Sequence, residues 1–195
     1  MKNNVIQVLQ GHEILPYLQL VAELRITFFR EYPYLYEGDF QTERKYLSFF
    51  ASSEKSIFVL AFDQNKVVGA ITGIPLDDMK GEIKNPFLQH GGSLDGIYYL
   101  GDIIVLKKHR KKGLGKEMYQ LFESAVQKMG GFQQITFCEI ERDPASAPAD
   151  YFSLDDFWAA RNYVRDPSLK TVIPWLDIGQ KKPTDHTLVF WSKTL

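Results

Sequence analysis

The sequence predicts one mixed α/β domain, on three observations: two alternating apolar segments joined by a turn signal, an apolar strand running straight into an amphipathic helix, and two further strand patterns at the end. The chain has 195 residues, enough for one well-buried core and short for two. Val5 to Leu9 alternates as a first strand. A helix is expected from Ile14 to Arg30, with Leu18, Val21, Ala22, Leu24, Ile26 and Phe29 on its apolar side and Pro33 closing it. Glu31 to Asp39 reads as an aromatic loop, and a second helix runs from Phe40 to Ser52. Ser56–Phe62 and Lys66–Ile74 form a hairpin around Asp63-Gln64-Asn65. Pro75 to Gly96, interrupted by Gly81, Pro86, Gly91 and Gly92, is expected to be irregular. Then come a strand at Tyr98–Val105, a helix at Gly113–Met129 ended by Gly130-Gly131, and a strand at Gln134–Ile140. A short helix at Leu154–Arg161 and strands near Lys170–Trp175 and Thr187–Ser192 complete the order.

Composition narrows the function. With 23 basic and 24 acidic residues the net charge is −1, so no global field favours nucleic acid or an anionic membrane. Cys138 is the single cysteine, so no intramolecular disulfide forms, and the four histidines show no metal-ligand spacing. Met1 to Ile6 lacks the apolar core of a signal peptide, and no apolar run has membrane-spanning length. The expectation is a cytoplasmic protein with no metal.

The informative stretch is Tyr98 to Gly115. A strand delivers the chain to a basic turn, Leu106-Lys107-Lys108-His109-Arg110-Lys111-Lys112-Gly113-Leu114-Gly115, which opens a helix. Helix starts leave several N–H groups unpaired and carry positive potential, a ready site for phosphate oxygens. Neither a Walker loop nor a Gly-x-Gly-x-x-Gly fingerprint fits. Arg110, Gly113 and Gly115 instead match Arg/Gln-x-x-Gly-x-Gly/Ala, and the segment resembles the acetyl-CoA pyrophosphate motif of GNAT N-acetyltransferases. Phe157-Trp158-Ala159-Ala160-Arg161-Asn162-Tyr163 resembles the Phe-Tyr-x-x-x-Gly-Phe segment of the same superfamily, with Trp158, Asn162 and Tyr163 as departures.

The resemblance implies a single domain over 1–195: a mostly antiparallel sheet of six to seven strands, splayed between two central parallel strands and flanked by about four helices. It implies that N–H groups of Lys111, Lys112, Gly113, Leu114, Gly115 and Lys116 hold the pyrophosphate beside Arg110. The backbone of Ile103, Ile104 and Val105 would pair with the pantetheine arm, and Trp158 would lie at the cofactor. The expected activity is direct transfer of acetyl from acetyl-CoA to a primary amine of a small molecule, peptide or protein; the alternative is a non-catalytic acyl-CoA sensor. Glu139, late in its strand, and Asp102, a charge within an apolar run, are the carboxylate candidates for the base, each with a structural alternative: Glu139 pairing with Arg142, Asp102 satisfying loop N–H groups. Trp158 replaces the common proton-donating Tyr, leaving Tyr151, Tyr163 and Tyr99 for that role. Cys138 is expected to be inert by burial. Phe29, Arg30, Tyr32 and Tyr34 are the acceptor-side candidates, with acidic side chains of the 75–96 loop also facing the amine. Members often dimerise, so a homodimer is open.

Overall fold

In a computed structural model, which describes residues 5–195, seven strands form one sheet in the order β1-β2-β3-β4-β5-β7-β6. The Met1–Asn4 part of the amino-terminal reading lies outside the described residues. The strands are β1 (Val5–Gln10), β2 (Ile57–Asp63), β3 (Lys66–Pro75), β4 (Ile97–Val105), β5 (Gln134–Ile140), β6 (Val164–Trp175) and β7 (Thr184–Thr194). The helices are α1 (Leu18–Phe29), α2 (Phe40–Ala51), α3 (Gly81–Gln89), α4 (Leu114–Met129) and α5 (Asp155–Ala159). Every neighbouring pair of strands is antiparallel except β4 and β5.

That parallel pair is short. Ile97, Tyr98 and Tyr99 face Gln134, Ile135 and Thr136, and no later residues of β4 and β5 pair. Each strand then follows its own antiparallel neighbour, and a wedge opens between them. A bulge strengthens the divergence: Thr72 faces Asp102 while Gly73 faces Leu100, leaving Gly101 as the extra residue of β4. Glycine is needed there, because a Cβ would approach Phe50 and the Thr72 hydroxyl to 2.8 Å.

Apolar clusters cover both faces. On one, α1, α2 and α3 pack Val21, Leu24, Leu47, Phe50 and Phe87 against Phe58, Ile104 and Phe190. On the other, Met118, Tyr119, Phe122 and Val126 of α4 join Tyr98, Phe137, Trp158 and Trp191. Under the first face lies an ionic cluster. Arg25 of α1 pairs with both Glu43 of α2 and Asp102 of β4, all three with side chains less than a tenth exposed, and Thr72 donates its hydroxyl to Asp102 at 2.8 Å. Removing a partner from such a cluster strands buried charge. Arg25→Ala is therefore expected to lose about 3–5 kcal/mol of stability. Urea unfolding checks this, and a loss below about 1 kcal/mol would show the carboxylates to be satisfied without Arg25.

Three elements differ from expectation. The first helix begins at Leu18, because a 3-10 segment containing Pro16 occupies Gly11–Tyr17. The 75–96 stretch holds α3, which buries Ile83, Pro86 and Phe87 at helical spacing. Pro86 has no N–H for the carbonyl of Glu82; the Thr171 hydroxyl of β6 donates to that carbonyl instead. The last two strands are longer than expected, β6 continuing back to Val164 through an irregularity at Asp166–Lys170 that accommodates Pro167.

Candidate active site

The wedge between β4 and β5 ends at the basic turn. Leu106 donates its N–H to Val68 of β3. By the alternation of an antiparallel ladder, Ile104 also turns its main chain to β3, while Val105 and Ile103 turn theirs to the wedge. Lys107–His109 make a 3-10 turn, and α4 starts at Leu114. Between them Lys111 and Gly113 adopt left-handed angles, φ 61° and 82°. The N–H groups of Lys111, Lys112 and Gly113 donate no hydrogen bond within the described residues, and those of Leu114, Gly115 and Lys116 are first-turn donors with no helical partner. No heavy atom lies within 4 Å of where a Cβ on Gly113 would sit, so the turn is open to an incoming group. Six successive N–H groups, a helix start and an open approach suit the oxygens of a phosphate group.

Arg110 is not turned to these N–H groups. Its Nε donates to the Val105 carbonyl at 2.7 Å and its Nη1 pairs with Glu31 at 2.8 Å, while Phe28 lies under the guanidinium. Lys107 pairs with Asp150 and Lys111 lies 4.1 Å from the centre of the Phe152 ring, so the segment after β5 crosses beside the turn.

Glu139 of β5 lies on the sheet face shared with Phe137 and accepts a hydrogen bond from the Trp191 indole at 3.1 Å. Burial, with Asp155 adding like charge, pushes its carboxyl up to about 7. It does not pair with Arg142, which donates to the Pro33 and Tyr34 carbonyls and to Asp177, tying β5 to the aromatic loop and the β6–β7 turn. Tyr151 packs edge-on against Tyr32 at 4.7 Å, and burial followed by the nearby Glu139 charge raises its hydroxyl to about 12. The Asp102 carboxylate is buried beneath α1 in its pair with Arg25, away from Glu139's face.

The remaining sequence candidates separate clearly. Trp158 is 3% exposed, tilted against Phe137 at 4.3 Å and edge-on to Tyr119 and Tyr163. Tyr163 accepts from the Tyr119 hydroxyl at 2.9 Å inside the same cluster. Tyr99 contacts Cys138 Sγ at 3.2 Å, and burial drives that thiol up to about 12, leaving it protonated at neutral pH. Phe29 is core, under Arg25 and against Tyr34, and Arg30 pairs with Glu37 across its own loop. Tyr32 packs on Tyr151, and Tyr34 meets Trp175. Sequence reasoning missed Trp175, whose indole donates to the Tyr34 carbonyl, and gave Arg142 no part in holding the loop; neither residue carries a motif. Asp77, Asp78 and Asp95 line a cleft of about 650 Å³ with Ile97 and Gly130, at the opposite end of β4 and α4 from the phosphate turn. The 16 residues of α4 put those carboxylates roughly 24 Å from it. Among the described residues, no three His, Cys, Asp or Glu side chains are grouped to hold a metal, and no helix is long and apolar enough to cross a membrane.

Known proteins share this fold. An aminoglycoside 6'-N-acetyltransferase solved with coenzyme A is 19% identical, with 96% of each chain covered and a TM-score of 0.59. A GNAT-family acetyltransferase from Streptococcus pneumoniae is 15% identical over 98% of this chain and 100% of its own, TM-score 0.56. A ribosomal-protein-alanine N-acetyltransferase from Brucella melitensis is 14% identical over 97% of this chain and 99% of its own, TM-score 0.57. No curated protein matches the chain in sequence. The model of the acetyltransferase (GNAT) family matches residues 19–152, from the start of α1 through the wedge and the phosphate turn to the segment that crosses it, and the chain belongs to that family.

Proposed function

We propose that the protein transfers an acetyl group from acetyl-CoA to a primary amine, by direct attack with both substrates bound. The carrying observation is the pairing of an open, N–H-lined turn at Lys111–Lys116 with a half-buried carboxyl on the facing strand. Acetyl-CoA supplies the thioester. The turn N–H groups hold its diphosphate, and the main-chain groups of Ile103, with the Val105 N–H, align its arm. Glu139, charged above about pH 7, takes a proton from the ammonium, and the nitrogen lone pair so freed bonds to the acetyl carbon. When the carbon–sulfur bond breaks, Tyr151, protonated at neutral pH, gives its proton to the sulfur and takes up the second proton that the nitrogen sheds in becoming an amide. Asp102 and Trp158 support the site through packing. Tyr32 and Tyr34 face the acceptor, which enters from the aromatic loop. An aminoglycoside and a protein amino terminus are the first acceptors to try, because similarly folded proteins are named for acting on them.

Calorimetric titration with acetyl-CoA, followed by an amine panel with released thiol as the readout, tests this. Saturable binding and turnover of at least one amine are expected. Binding without turnover of any amine would favour an acyl-CoA sensor, and no binding would remove the reading.

A further inference from the structure

Arg110 stands at the joint between the basic turn and the aromatic loop: it is anchored on the Val105 carbonyl and reaches out to Glu31 of the loop. We propose that Arg110 is a positioning residue that carries occupancy of the phosphate turn to the acceptor loop through Glu31. The proposal rests on the reading of that turn as the acetyl-CoA site.

The connection is a chain of direct contacts. Arg110 immediately precedes the unpaired N–H groups of Lys111 to Gly113, so any shift of the turn moves its Cα. Its guanidinium holds Val105 on β4 and Glu31 after α1. The Glu31 carbonyl accepts the N–H groups of Tyr34 at 3.1 Å and Leu35 at 3.2 Å, which shapes the loop. The Tyr34 carbonyl accepts from Trp175 at 3.2 Å and from Arg142 at 3.0 Å, so the path ends on the β6–β7 side of the acceptor entrance.

Two features separate this from a fixed strut. The Arg110–Glu31 pair is about one-third exposed on each side, and pairs of that kind hold weakly and rearrange readily. Arg110 Nη2 is buried without a hydrogen-bond partner among the described residues, so the side chain is incompletely satisfied where it stands. In the coupling proposed, the guanidinium keeps Val105 and has a second arrangement in which Nη2 gains a partner at the expense of the weak Glu31 pair. A diphosphate drawing in the N–H groups of the neighbouring residues selects between the two. Binding at the turn then presets Tyr34 and Tyr32 for the amine.

The test uses the full chain labelled with 5-fluorotryptophan, whose three tryptophans give three fluorine resonances, that of Trp175 assigned with Trp175→Phe. Acetyl-CoA alone is added, and its affinity is measured separately by calorimetry. The wild-type Trp175 resonance is expected to shift on binding. In Glu31→Gln the shift should be lost while the acetyl-CoA Kd stays within about threefold, since Glu31 does not belong to the turn. Arg110→Lys, which keeps the charge without the fork that spans Val105 and Glu31, should lose it as well. Thermal melts confirm that both variants fold. An equal Trp175 shift in wild type and Glu31→Gln would overturn the coupling, as would a wild type that binds acetyl-CoA with Trp175 unmoved. Failure of the wild type to bind acetyl-CoA would instead overturn the acetyl-CoA reading, and the coupling with it.

Discussion

Glu139→Gln is expected to cut acetyl transfer at pH 8 by at least about 100-fold, the lower range for loss of a general base, while acetyl-CoA affinity changes little. The same substitution should make the protein more stable at that pH. The signs follow from the environment of the side chain. Burial and Asp155 raise the carboxyl from 4.5 to about 7, so the folded state holds this proton more tightly than the unfolded chain. That contribution to stability is fully present below about pH 4.5 and is lost as pH rises through 7. Above pH 7 the fold carries a half-buried negative charge whose cost is on the order of 2 kcal/mol, discounted for its partial exposure. Glutamine removes that charge and can still accept from the Trp191 indole. Activity and stability therefore move in opposite directions, which loss of packing alone would not produce. In the wild type, kcat/KM should rise through an apparent pKa near 7, well below the ionisation of a lysine-like amine at about 10.4. A Glu139→Gln protein with unchanged turnover, or a wild-type profile flat from pH 6 to 8, would move the base elsewhere.

Most of the frame was legible because local pattern and burial agree. The β2–β3 hairpin, the strand that feeds the basic turn, and the apolar stripe of α4 stand where periodicity puts them. The helix α3 was not legible for a tertiary reason. Pro86 frees the Glu82 carbonyl, and the partner that satisfies it, Thr171, is 89 residues away. Two site residues show the same limit. Asp102 stands out in sequence as a charge in an apolar run, yet the partner that explains it, Arg25, lies 77 residues earlier on α1. Glu139 makes no ion pair among the described residues: it accepts from an indole, and the charge of Arg165 only partly offsets its burial. Residue type and strand position are alike for the two, and only the long-range partner separates a structural carboxylate from a candidate base. The acidic side chains of the 75–96 stretch were misplaced for a related reason, since chain order does not reveal that β3 leaves the sheet at the end remote from the phosphate turn.

Gly113→Glu is expected to abolish measurable acetyl-CoA binding without unfolding the protein. Gly113 has φ 82°, where a residue with a Cβ is strained by about 1 kcal/mol. Its side-chain direction is empty to 4 Å, so the new group meets open space rather than core. The glutamate instead enters the approach to the six N–H groups and brings negative charge to the position proposed for a diphosphate. At about 4 Å and an effective dielectric constant near 20, like charges cost about 4 kcal/mol, which is about three orders of magnitude in Kd. Gly115→Ala is the control. Its Cβ would stand 3.7 Å from Val105, an ordinary contact, and alanine favours a helical backbone. That variant should bind acetyl-CoA and melt no lower than wild type. Gly113→Ala isolates the backbone strain from the charge and should fall between the two. Calorimetry on the three variants separates the contributions. If Gly113→Glu binds within tenfold of wild type, the diphosphate is not held at this turn and the open N–H groups serve only to start α4. If the charged variant alone loses binding, the helix start is the anion site, and acetyl-CoA lies along the wedge between β4 and the strand that carries Glu139.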